Sequence, residues 1–172
     1  ETIIIPKSCL DYFNENILPL KDSLNKRYSI ALTGQIGVGK STLCQALKIL
    51  FDIPEFKLNP IREYINYDED GPKMLIKFLT RKITNPTFQN YIMDSYIAQC
   101  KQMDDWLIRI IERPVIDSVA CFGVLSHVQQ KDFTTLQLNA LFDRCVICCD
   151  DFDLPSYDGG RDTKFLKVSS IN

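Results

Sequence analysis

Eight consecutive residues constrain this chain more than any others: Gly34-Gln35-Ile36-Gly37-Val38-Gly39-Lys40-Ser41 satisfies the pattern G-x-x-x-x-G-K-[ST]. A short β-rich apolar run, Tyr28 to Thr33, precedes them. After Lys40 the pattern turns helical, with Leu43, Ala46, Leu47 and Leu50 at three- and four-residue spacing. Strand, glycine-rich loop and helix therefore follow one another without a break, and that order belongs to an α/β sheet.

Such a loop is a phosphate cradle, the P-loop. Its glycines allow backbone conformations in which successive N–H groups point inward, and the helix that follows adds the positive end of its dipole. Lys40 is placed to reach β- and γ-phosphates, and the Ser41 hydroxyl to ligand Mg²⁺. The motif predicts a nucleoside triphosphate bound by Gly34, Gln35, Ile36, Gly37, Val38, Gly39, Lys40, Ser41 and Thr42. The alternative is a glycine-rich turn with an incidental lysine, or a loop that no longer turns nucleotide over.

The remaining pattern alternates strands with helices. Ile17 to Leu24 reads as a lead-in helix within a leading segment, 1–27. Glu55 to Arg62 supplies a second extended segment ending near Glu63, and Pro72 to Thr80 a helix. Asn85 as N-cap and Pro86 as first helical residue open a long helix, expected to reach about Ile111. Arg113 to Asp117 reads as a third strand, Val119 to Gln129 and Thr134 to Asp143 as helices, Cys145 to Cys149 as a fourth strand and Phe165 to Val168 as a fifth. The expectation is one α/β domain over 1–172, with a parallel sheet covered by helices on both faces.

Composition bounds the class. With 172 residues, 45% hydrophobic and 24% charged, the chain is an ordinary globular domain and not a coiled coil or a disordered tail. A net charge of −2 offers no broad basic surface for nucleic-acid phosphates, so no nucleic-acid polymer is expected as partner. No apolar stretch approaches the roughly 20 residues a membrane helix needs, and no membrane partner is expected. Seven cysteines without a disulfide framework fit reduced thiols in an intracellular, cytoplasmic or nuclear setting. Cys145, Cys148 and Cys149 lie in an apolar run and read as buried strand residues rather than metal ligands.

A P-loop specifies the phosphoryl donor and leaves the acceptor open, so carboxylates at the ends of the other strands become informative. Glu63 follows the second extended segment, where it can take a proton from an attacking hydroxyl; the alternative is a solvated loop glutamate. Asp117 closes the presumed third strand, as a Mg²⁺ ligand or as the N-cap of the next helix.

On these residues the chain resembles the deoxynucleoside kinases of the thymidine, deoxycytidine and deoxyguanosine kinase type, including viral relatives. Gly34 to Thr42 is similar to the family's G-x-I-G-x-G-K-[ST]-[ST] loop. Ile61-Arg62-Glu63-Tyr64-Ile65 lies where the family has Glu-Pro-Val/Ile, whose glutamate is the base for the nucleoside 5′-hydroxyl. Pro86-Thr87-Phe88-Gln89-Asn90-Tyr91 is similar to a Phe-Gln-x-Tyr helix in which the glutamine reads the nucleobase edge and the phenylalanine packs against the base. A carboxamide carries both a donor and an acceptor, which suits a base edge.

The resemblance implies a P-loop kinase fold, three-layer α/β/α with a central five-stranded parallel sheet, transferring the γ-phosphoryl of ATP to a deoxynucleoside. It implies roles for Lys40, Glu63 and Arg161 in catalysis, for Phe88, Gln89 and Phe122 at the substrate, and for Ser41 and Asp117 at Mg²⁺. The alternative is that Phe88, Tyr91 and Ile92 are core residues and Gln89 is merely exposed, and Phe122 reads equally as a helix-core residue. The resemblance also implies a homodimer packed through helices.

There are departures. The family's third strand ends in Asp/Glu-Arg-Ser; aligning Asp117 there leaves no arginine, while the register Glu112-Arg113-Pro114 puts the apolar Val115-Ile116 after the motif instead of before it. Asp117 is the preferred match. Tyr64 stands where the family has proline, and the lid region, Asp150 to Lys164, holds one arginine, Arg161. A nucleoside monophosphate kinase such as thymidylate kinase is the nearest alternative; Arg62, Arg81 and Arg113 are the arginines near its acceptor site. A nucleotide-binding protein that has lost catalysis is the alternative from another class.

Overall fold

The computed structural model describes residues 2–34, 38–118 and 145–149. Within them the chain is mixed α/β with a small parallel sheet. Strands β1 (Tyr28–Gly34), β2 (Leu58–Ile61), β3 (Ile108–Ile111) and β4 (Cys145–Cys149) take the order β2-β3-β1-β4, every pair parallel. Helices α1 (Lys7–Tyr12), α2 (Lys40–Phe51), α3 (Asp70–Leu79) and α4 (Asn85–Cys100) supply the connections and the cover.

Residue alternation along the strands sorts the core into two layers. Ile30 and Leu32 of β1, Leu58 of β2, and Ile108 and Ile110 of β3 face α2, packing with Cys44, Leu47 and Phe51. Ala31, Ile61 and Ile111, which are in register across β1, β3 and β2, face α4 and meet Ile92, Met93 and Tyr96. Helices thus lie on both faces, the arrangement in which parallel strands become continuously apolar.

Three elements differ from the sequence reading. The lead-in helix begins earlier: α1 continues through a π turn, Phe13–Ile17, and a 3-10 turn, Leu18–Asp22. Its anchor is Phe13, edge-to-face on Phe51 with ring centroids 5.2 Å apart. The long helix stops at Cys100, far short of Ile111, and its N-cap is Thr84 rather than Asn85, the Thr84 hydroxyl accepting from the Thr87 N–H at 3.3 Å.

The third correction matters most for function. The third strand is Ile108–Ile111 and not Arg113–Asp117. It lies between β2 and β1, where every backbone donor is needed, and Pro114 has none to give. Three isoleucines meet that demand, because β-branched side chains suit a strand covered on both faces. Pro60, by contrast, sits in β2 at the edge of the sheet, where a missing N–H costs no ladder bond.

The helices expected at Val119–Gln129 and Thr134–Asp143, the fifth strand at Phe165–Val168, and the residues Phe122 and Arg161 lie outside the described residues. Among the described residues no helix is long and apolar enough to cross a membrane, and no group of three or more His, Cys, Asp and Glu side chains is spaced to hold a metal ion.

Candidate active site

Parallel strands direct their C-terminal ends, and the loops that follow them, to one edge of the sheet. Four segments meet there: Thr33-Gly34 at the end of β1, Arg62-Glu63 after β2, Glu112-Arg113 after β3, and the turn that carries Asp117.

The glycine loop opens with Gly34 at φ 136° and closes with Gly39 at φ 87°, the left-handed N-cap of α2. No atom lies within 4 Å of where a Cβ of Gly39 would sit, so the backbone conformation rather than crowding calls for glycine there. Lys40 is buried and its ammonium donates to the Gly34 carbonyl at 2.9 Å, folding back over the loop it follows. Ser41 and Thr42 begin α2 and are exposed, while Val38 is half-buried. Gln35, Ile36 and Gly37 are outside the described residues.

A chain of buried polar contacts runs from this loop to Glu63. Thr33, the residue before Gly34, places its hydroxyl 2.9 Å from both Asp117 oxygens and donates to that carboxylate. Arg113 donates through Nη1 to Asp117 Oδ2 at 3.1 Å and through Nε to Glu63 Oε1 at 3.2 Å. Its guanidinium is therefore shared between two carboxylates, the fork geometry for which arginine is suited. Burial alone would pull Arg113 below its ordinary range, but Glu63, Tyr96 and Asp117 together raise it above. Asp117 is pushed up by its burial, with Arg113 and Thr33 opposing the shift.

These contacts correct the reading of Asp117. It does not close a strand; the strand ends at Ile111, and Glu112-Arg113 is the acid–arginine pair at its end. The strand is the apolar run Ile108–Ile111, which the sequence reading places in the long helix, and Arg113 follows it by two residues. Asp117 belongs to the site as a carboxylate already engaged by Thr33 and Arg113.

The turn after Glu63 is held from below. Glu63 is the N-cap of a 3-10 turn, Tyr64–Asn66, and its carbonyl accepts from Asn66. A Cβ on Gly71 would lie 2.2 Å from the Tyr64 carbonyl oxygen, so only glycine lets α3 approach this turn. The Glu63 N–H donates to Glu112 Oε2 at 3.3 Å.

α4 presents the proposed base-reading residues. Phe88 is a core ring rather than an open platform: it stacks on Phe78 with centroids 4.5 Å apart and meets Tyr64 edge-to-face at 5.4 Å. Gln89 is 4% exposed, and its Oε1 has no hydrogen-bond partner. Seven residues on, hence two turns along the same side of the helix and roughly 10 Å away, Tyr96 is 1% exposed with an equally unpartnered hydroxyl. Burial and then the nearby Glu63 carboxylate hold the Tyr96 phenol well above its ordinary range, so it remains a donor.

Sequence reasoning missed Thr33, Tyr96 and, in part, Arg113. Thr33 carries no motif; Tyr96 has the spacing of a core position, which it also is. Arg81, at φ 57° in the turn after α3, is exposed and makes no contact with this cluster. No protein-family model matches the chain, and no curated protein is significantly similar to it.

Proposed function

We propose that this chain is a deoxynucleoside kinase, transferring the γ-phosphoryl of ATP to the 5′-hydroxyl of a deoxynucleoside. The observation that carries the reading is the polar chain Thr33–Asp117–Arg113–Glu63, which joins the start of the phosphate loop to a carboxylate two residues beyond β2. Donor loop and hydroxyl-activating group are then parts of one rigid edge. The strand order β2-β3-β1-β4, with the loop following β1, supports a P-loop kinase fold with a five-stranded sheet in three layers.

In this reading Lys40 and the loop amides of residues 34 to 42 hold the triphosphate, and the exposed Ser41 hydroxyl is the nearest Mg²⁺ ligand. Asp117 orients Arg113, and its carboxylate keeps lone pairs with which it could also hold Mg²⁺ or a water of its shell. Glu63 accepts the proton of the 5′-hydroxyl, and Arg113 keeps its carboxylate aimed. Gln89 offers an unsatisfied buried acceptor for a donor on the base, since leaving such a group unpaired costs about 1–3 kcal/mol that a bound base would relieve.

ADP release with Mg-ATP across a panel of deoxynucleosides and their monophosphates tests the reading. Turnover with a nucleoside, abolished by Lys40→Ala, is expected. Turnover confined to monophosphates would make the chain a nucleoside monophosphate kinase, with the exposed Arg62 at the acceptor phosphate. ATP binding without turnover on any acceptor would leave a nucleotide-binding protein.

A further inference from the structure

β2 is the outer strand of the described sheet, so beyond Ile61 the chain has no neighbouring strand on its open side to satisfy it. A side chain takes that place. Gln99, in the last turn of α4 and buried, accepts from the Arg62 N–H through Oε1 at 2.8 Å and donates to the Arg62 carbonyl through Nε2 at 2.9 Å. One carboxamide thus supplies the donor and acceptor pair that a strand partner would have supplied.

The residue so held is the one before Glu63. The adjoining groups are held as well: the Ile61 carbonyl accepts from Glu112 N–H at 3.1 Å, and the Glu63 N–H is bound by the Glu112 carboxylate. The Arg62 side chain points to solvent and contributes nothing to this arrangement. Among these contacts Gln99 is the one that comes from α4, the helix that also carries Gln89 ten residues earlier, roughly 15 Å along the axis.

We propose that Gln99 is a positioning residue for Glu63: its two bonds to Arg62 fix the height and direction at which the carboxylate meets the acceptor hydroxyl, and tie that carboxylate to the helix that reads the base. The proposal rests on Glu63 being the base. Displacing a reacting group by about 1 Å costs up to 10²-fold in rate, and losing Gln99 leaves Arg113 and Glu112 still holding Glu63 from the other side.

Steady-state kinetics of the full chain, with Gln99→Leu and Gln99→Glu beside Glu63→Gln, tests it. Gln99→Leu is expected to lower kcat about ten-fold while KM for nucleoside and ATP stays within about two-fold. In Gln99→Glu the introduced carboxyl can donate to the Arg62 carbonyl only when protonated. The ratio of its kcat to that of the wild type is therefore expected to rise as pH falls. A Gln99→Leu enzyme with wild-type kcat and only a lower Tm, or a Gln99→Glu ratio flat with pH, would overturn the proposal. If Gln99→Leu does not fold, the Gln99→Glu ratio decides. A wild-type chain without Glu63-dependent turnover would instead overturn the kinase reading and this inference together; loss of the inference alone requires an active wild type.

Discussion

The two ends of the sheet both bury polar side chains and treat them differently. At the C-terminal end Thr33, Asp117, Arg113 and Glu63 are joined by short contacts, and each charge faces an opposite one. One register step from the N-terminal end, Ser29, Arg109 and Asn59 form a row across β1, β3 and β2 on the face toward α4. There Ser29 Oγ, Asn59 Nδ2 and Arg109 Nε have no hydrogen-bond partner. Arg109 is steadied instead by the Trp106 ring, 4.0 Å from its guanidinium, and by a bond from Nη2 to the Cys100 carbonyl at the end of α4.

The contrast separates two meanings of an unsatisfied buried atom. In the Ser29–Arg109–Asn59 row it is a cost carried by the fold. At Gln89 and Tyr96, two turns apart on one side of α4, with Tyr96 beside Glu63 and Arg113, the proposed kinase activity makes it an offer to a ligand. Substitutions at the two ends should therefore differ in what they change as well as in how much.

The largest effect is expected from Arg113→Ala. It leaves the buried Asp117 and the half-buried Glu63 without their cation, which costs about 3–5 kcal/mol, a fall in Tm on the order of 10 °C for a chain of this size. Thermal unfolding measures it. A loss below about 1 kcal/mol, the range of exposed pairs, would mean that the polar chain is not a buried unit. The same substitution removes the cation opposing the upward shift of Asp117, so that carboxyl should take up protons at higher pH still.

Gln89→Leu should give effects of opposite sign. Removing the unpartnered acceptor leaves stability unchanged or raises it by up to about 1 kcal/mol, while nucleoside affinity falls about ten-fold or more. Calorimetric titration with nucleoside, beside ATP as the unaffected ligand, reads both. Equal affinity in wild type and variant would make Gln89 another carried cost, like Asn59.

Ser29→Ala has the smallest expected effect: a change in stability within about 1 kcal/mol, neutral or favourable, since it removes a buried hydroxyl that has no partner. Turnover should not change. A substantial loss of Tm would show that the hydroxyl is hydrogen-bonded after all, through a buried water shared with Asn59 and Arg109.

How far the sequence discloses this arrangement depends on whether the pattern is local. The loop from Gly34 to Ser41, the strand before it and the helix after it are legible because turn chemistry, periodicity and motif coincide within a few residues of one another. Glu63 is legible as a strand-end carboxylate. The boundary between α4 and β3 is not: Trp106-Leu107-Ile108 continues the apolar spacing of a helix, and four strand residues are too few to announce a change of period. That one boundary moves the third strand by five residues, so that Arg113 reads as a strand residue when it lies just beyond the strand's end. Thr33 and Gln99 act through contacts with residues 84 and 37 positions away, and no local pattern encodes those.

The most direct test of the central claim compares ADP release by wild type and Glu63→Gln with a deoxynucleoside and with its 5′-deoxy analogue. The account predicts turnover with wild type and the 5′-hydroxyl substrate, a loss of about 10²–10⁴-fold in Glu63→Gln, and none above background with the 5′-deoxy analogue. ADP release that is the same with both compounds, and indifferent to Glu63, would contradict it.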